Sequence, residues 1–187
     1  TSSSVVWNAV WLVPPQTLNI FDFMGVSTLL LHVKGSNKLN RKLVKTAAWW
    51  YAEKLMGKRL IAGLEIDINL SKTLLNKDGN EGTAIWEDDS VRPKEFTITL
   101  DATCNIRNIL ITLAHEIVHV KQWAKGEMYE YTVPDMVRFH KTKFNMADIN
   151  YWDYPWEIEA FGRQLGLFVR FCEAQGIADN EDMYEPA

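Results

Sequence analysis

Two of the chain's four histidines, His115 and His119, stand four residues apart, and Glu116 follows the first of them directly. On a helix, positions four apart project from the same face, so both imidazoles can reach one cation. Glu116 is offset from them and can stand beside a water held by that cation. Zinc suits such a set, because imidazoles and a carboxylate bind it while leaving a coordination position open for water. The ion would lower the water's pKa and polarise a carbonyl, while Glu116 would take the proton and deliver it to a leaving amine. The expected chemistry is hydrolysis of a peptide bond with no covalent enzyme intermediate. By residue frequency alone, His-Glu-x-x-His should arise roughly once in two hundred chains of this length, so the string carries weight.

Two histidines need a third ligand. Glu157 and Glu159 qualify, because Pro155 can open a helix whose positive end favours carboxylates. Two apart on a helix, they cannot face the same point. Glu159 has Arg163 one turn further on as a salt-bridge partner, which favours a structural role for it. His140, in an irregular aromatic stretch, and His32 compete for the same position, and spacing alone does not choose among them. Tyr151, Tyr154 and His140 are the candidates for a donor aimed at a developing oxyanion.

His115-Glu116-Ile117-Val118-His119, followed by Pro155-Trp156-Glu157-Ile158-Glu159-Ala160, resembles the gluzincin group of zinc peptidases, above all its short, minimal members from microbes and their viruses. In that group a second helix supplies a glutamate ligand in the pattern E-x-x-A or E-x-E-A. The resemblance thus implies Zn2+ as cofactor, held by His115, His119 and Glu157, with Glu116 as the catalytic base. It also implies a zincin-like architecture, in which the active-site helix lies beneath a small sheet. The edge strand of that sheet, expected at Glu95 to Leu100, would pair with an extended peptide or protein substrate. Phe161 stands where larger members have an aspartate that accepts a hydrogen bond from a zinc-bound histidine, so that support must come from elsewhere or be weaker. The motif-bearing region runs from about Leu60 to Cys172. Two other readings compete: a binding or regulatory module that keeps the scaffold, and a DNA-associated protease. Glu116 argues against the first, since a structural zinc site needs no base. The second kind usually has a third histidine ligand and a separate DNA-binding part, and neither is evident.

Placing these residues requires two helices and a sheet. Asn105 to Lys125 has an apolar stripe at Ile109, Leu113, Ile117 and Val120, with Asn108, His115, His119 and Gln122 toward another face. Asp101 or Thr103 is the expected cap at its start and Gly126 its terminator. A closing helix from Pro155 to about Ala174 would pack through Leu165, Phe168, Val169 and Cys172. Lys38 to Met56 reads as a further amphipathic helix ended by Gly57. Arg59 to Leu70, Thr83 to Trp86 and Glu95 to Leu100 read as strands by their alternation. Val5 to Val13 is strand-like, Asn76 to Asn80 is a turn, and Tyr129 to Asp153 has no steady period. Trp49, Trp50, Trp123, Trp152 and Trp156 are expected in core or cleft-wall packing, with Trp156 beside the site.

These elements make one α+β domain over residues 1–187, with helices packed on a small mixed or antiparallel sheet, an unassigned segment 1–37 and a flexible acidic tail 179–187. A chain of 187 residues that is 47% hydrophobic and 12% aromatic can bury one core. A net charge of -4, without a dense basic block, argues against nucleic acid as the partner. Two cysteines, Cys104 and Cys172, are too few for a disulfide framework or a thiolate metal site and are expected as buried or half-buried thiols. No stretch approaches the ~20 apolar residues that cross a bilayer, and no export signal is visible. The default expectation is a cytoplasmic protein without a membrane partner.

Overall fold

The computed structural model describes residues 28–72 and 81–183. The strand expected at Val5 to Val13 and the turn at Asn76 to Asn80 lie outside the described residues. The order of elements is β1 (Leu30–Gly35), α1 (Lys38–Met56), a single helical turn α2 (Lys58–Ile61), β2 (Glu65–Ser71), β3 (Gly82–Trp86) and β4 (Glu95–Asp101). The site helix α3 (Ile106–Ala124), three short strands β5 (Met128–Glu130), β6 (Met136–Phe139) and β7 (Thr142–Asn145), and the closing helix α4 (Pro155–Gln175) follow.

Alternation decides the first sheet. In β2 and β4 every second residue is buried, and the parallel register sets Ile66 beside Phe96, Ile68 beside Ile98 and Leu70 beside Leu100. This apolar face receives α1 and α3, while Glu65, Asp67, Thr97 and Thr99 turn away from the core. Strand order is β1-β2-β4-β3, with β1, β2 and β4 parallel and β3 antiparallel to β4. The sheet is therefore mixed. Glu95 to Asp101 is an interior strand of it, which corrects the expectation that this strand forms the free edge; among the described residues the edge beside the site is Gly82 to Trp86. Alternation reports which face of a strand is covered, and the alternation in β4 does not report how many neighbours it has.

Arg59 to Leu64 is not strand. Gly57 ends α1 at a φ of 77°, a conformation favourable to glycine, and α2 and a turn intervene before β2 starts at Glu65. Tyr129 to Asp153, read without periodicity, holds a second, antiparallel sheet ordered β5-β6-β7 and two turns of 3-10 helix. Its strands of three and four residues are too short to show a period. The tail expected from 179 onward is tied down in part: Glu181–Met183 form a 3-10 turn and Met183 is buried against the core.

Helix α3 is buried on nearly every side from Ile109 to Ala124, because the sheet, α1 and α4 surround it. Leu110, Leu113 and Ile117 are fully enclosed. Truncating Leu113 to alanine would cost about 2–5 kcal/mol, the usual range for an enclosed leucine. Helices α3 and α4 run antiparallel, since Gln122 meets Trp156 and Glu159 while His115 meets Gln164.

Candidate metal centre

Asn105, and not Asp101 or Thr103, caps α3: its side chain accepts from the Asn108 backbone N–H at 2.8 Å. Asp101 is used one turn earlier, accepting from the backbone and hydroxyl of Thr103. Pro155 occupies the first turn of α4, where its missing N–H costs nothing, and so brings Glu157 to the start of that helix.

His115, Glu116 and His119 are all buried, 9%, 5% and 8% exposed. The two Nε2 atoms approach to 3.1 Å. Glu157 sets Oε2 3.3 Å from Nε2 of His115 and Oε1 3.5 Å from Nε2 of His119. Ligand atoms at about 2.0–2.2 Å from a tetrahedral zinc lie about 3.3–3.6 Å from one another. The three side chains thus already stand close to the spacing of a zinc tripod.

The outward nitrogens explain which way the rings face. Gln122 gives its amide nitrogen to the Trp156 carbonyl at 3.0 Å and to Glu159 at 3.1 Å, both of which can only accept. Its oxygen must therefore accept, and His119 donates to it from Nδ1 at 2.9 Å, leaving the Nε2 lone pair for the centre. His115 donates from Nδ1 to Gln164 Oε1 at 2.8 Å in the same way. Two lone pairs and a carboxylate converging in a buried space are an acceptor-only set, and a cation is what such a set fits. Gln122 and Gln164 thus hold the outward nitrogens of the two rings, while Phe161 packs edge-on against His115 at 4.6 Å between centroids.

Glu157 is the carboxylate that joins the histidines. Glu159 is turned away to Lys121 at 2.7 Å and Arg163 at 2.9 Å. His140 is exposed at the β6-β7 turn and outside the cluster. His32 lies on β1 with Glu65 and Asp67 on the solvent face of the sheet. Burial opposes ionisation of Glu157, but the His115 and His119 rings beside it and the Tyr151 hydroxyl outweigh burial and hold the carboxyl far below the usual range. Burial likewise disfavours a charged His119, yet the Glu157 and Glu116 carboxylates raise its basicity overall. Burial pushes the Glu116 carboxyl up, against the pull of His119 and His115, which is the direction that suits a proton acceptor.

The centre opens into a cleft of about 940 Å³, within the usual size of ligand sites, about 300–1,000 Å³. One wall is β3. A Cβ on Gly82 would stand 2.4 Å from Thr112 Cγ2 and 2.9 Å from Glu116 Oε1, so the edge strand passes directly over the carboxylate because that residue has no side chain. Of the proposed oxyanion donors, Tyr151 lines the cleft and donates to Glu157 Oε2 at 2.9 Å. The Tyr154 hydroxyl is committed to the Met146 carbonyl, and His140 is not part of the cleft.

Compared with known proteins, the chain matches no protein-family model, no curated protein and no solved structure. The geometry stands on its own.

Trp156 and Trp123 are buried and line the cleft, Trp50 packs against the core and Trp152, though 68% exposed, also lines the cleft, as expected of the tryptophans; Trp49 is exposed at 42%. Cys104 is half-buried and Cys172 buried, both free. Among the described residues no helix is long and apolar enough to cross a membrane. Gln122, Gln164 and Gly82 were not singled out for roles from the sequence. Gln122 had a signal, standing three residues after His119 on the same face, whereas Gln164 and Gly82 had none.

Proposed function

We propose that this protein is a zinc peptidase of gluzincin type with a zincin-like arrangement, acting on extended peptide or protein substrates. The observation that carries the reading is the convergence of His115 Nε2, His119 Nε2 and a Glu157 carboxylate at 3.1, 3.3 and 3.5 Å, with Glu116 beside them. His115, His119 and Glu157 would hold the ion. A Zn2+ bound there supplies a Lewis acid that acidifies water and polarises the scissile carbonyl.

The chain's own residues do the rest. Glu116 accepts a proton from the attacking water as the new C–O bond forms, then passes it to the nitrogen as the C–N bond breaks. Its buried setting keeps the proton on the carboxylate between those two events. Tyr151, whose hydroxyl is kept protonated by burial and by the neighbouring Glu157, would turn its one proton from Glu157 Oε2 to the carbonyl oxygen as charge develops there. Among the described residues β3 is the edge of its sheet and offers backbone groups to an extended peptide, and Gly82 lets that strand run close over Glu116.

Metal analysis of the purified chain together with hydrolysis of a peptide library tests this reading. One equivalent of zinc, lost in His115→Ala and Glu157→Ala but kept in Glu159→Ala, is the expected result. Glu116→Gln should keep the zinc while hydrolysis falls by several orders of magnitude. Turnover by Glu116→Gln equal to the parent, or a folded parent that takes up no divalent metal, overturns it.

A further inference from the structure

Helix α4 carries more apolar surface than the described residues cover. Ile158, Phe161, Leu165 and Val169 follow one another at helical spacing and are exposed at 56%, 40%, 51% and 44%. Of the four residues expected to face the core, Phe168 and Cys172 do so, joined by Phe171, while Leu165 and Val169 do not. Trp152 lengthens the stripe at its start, its ring 5.5 Å from that of Phe161. Single exposed apolar side chains are ordinary, but a contiguous row beside a cleft marks an interaction surface. Gly162 and Gly166 lie alongside, and a Cβ at either would meet nothing within 4 Å, so these two helix-weakening residues have no packing role among the described residues.

The stripe is continuous with the cleft. Trp152, Phe161 and Leu165 belong to both. Glu157 stands at the first turn of α4, so from the metal centre the stripe leads away along that helix toward the start of α3, where Arg107 lies over the Phe168 ring. From Phe161 to Val169 a helix rises about 12 Å, the length of about three to four extended residues.

We propose that this stripe is an exosite for the substrate itself, binding an apolar run of three to four residues that flanks the bond to be cleaved. The preferred substrates are then extended segments rich in Leu, Ile, Val and Phe. The inference rests on the peptidase reading and narrows its substrate class.

The full chain carrying Glu116→Gln, loaded with zinc, permits direct binding measurements without turnover. Two labelled peptides of equal length are compared by fluorescence anisotropy, one with a Leu-Val-Phe-Leu run beside the central residues and one with Ser-Gln-Thr-Gln there. The apolar peptide should bind about tenfold tighter or more. Val169→Glu and Ile158→Glu, both at exposed positions outside the cleft, should bring the ratio of affinities close to one with zinc content unchanged. A ratio near one in the parent, or a ratio that neither variant alters, overturns the exosite. So does a concentration-dependent dimer in sedimentation that Val169→Glu abolishes, which would give the stripe to a second copy. The two readings fail separately: equal cleavage of both peptides by the Glu116 chain removes the exosite alone, whereas preferential binding without cleavage removes hydrolysis alone.

Discussion

Gln122 and His119, three residues apart on α3, are joined oxygen to nitrogen at 2.9 Å. The glutamine cannot turn over, because its nitrogen is held by the Trp156 carbonyl and by Glu159. Glu159 is in turn anchored by Arg163 and by Lys121, a lysine only 6% exposed that also pairs with Glu127. A buried charge network therefore ends in the choice of which nitrogen of His119 carries its proton. Gln122→Ala should weaken zinc affinity about 10–100-fold, the usual loss for a partner that orients a metal ligand. Titration against a chelator of known affinity measures it, and an unchanged zinc Kd would show that His119 needs no such anchor.

The same network makes a pH prediction. Contacts with Lys121, Gln122 and Arg163 outweigh burial and lower the Glu159 carboxyl to about 2, against about 4.3 in an unfolded chain. A group whose folded value is depressed stabilises the protein above the unfolded value and loses that contribution as pH falls toward the folded one. In metal-free protein, the stability gap between parent and Glu159→Gln should therefore shrink as pH drops from about 4.3 to 2. Urea midpoints at several pH values read it; a constant gap across the window would contradict the ion-pair account.

Gly82→Ala probes the crossing of β3 over Glu116. The added methyl must displace Thr112 or Glu116, since it would lie 2.4 Å from the one and 2.9 Å from the other. Hydrolysis should fall about a hundredfold, as expected when a reacting group is misplaced by about an ångström. Zinc content should stay, since none of the three ligands is touched. Full activity in this variant would mean that the edge strand has slack.

Tyr151→Phe removes a hydroxyl that contacts Glu157 and faces the cleft. If the hydroxyl serves the developing oxyanion, kcat falls about 10²–10³-fold with KM little changed. A rise in KM alone would leave Tyr151 as a wall of the cleft.

Residue type and periodicity made much of this arrangement readable beforehand. The spacing of His115 and His119 required a shared face once α3 formed, because helical geometry is local. The alternation in β2 and β4, the stops at Gly57 and Gly126 and the helix start at Pro155 are local in the same sense, and α1, α3 and α4 appear within a residue or two of their expected ends. The edge position of β3 could not be read, because strand order depends on which segments meet across the sheet. Arg163 already favoured a structural role for Glu159, but it is the antiparallel packing of α4 on α3 that turns Glu157 toward the histidines and Glu159 toward Lys121. Gln164 stands 49 residues from the ring it orients, a separation over which spacing says nothing. The chain by itself therefore set which chemistry was within reach, and packing of distant segments decided which groups converge.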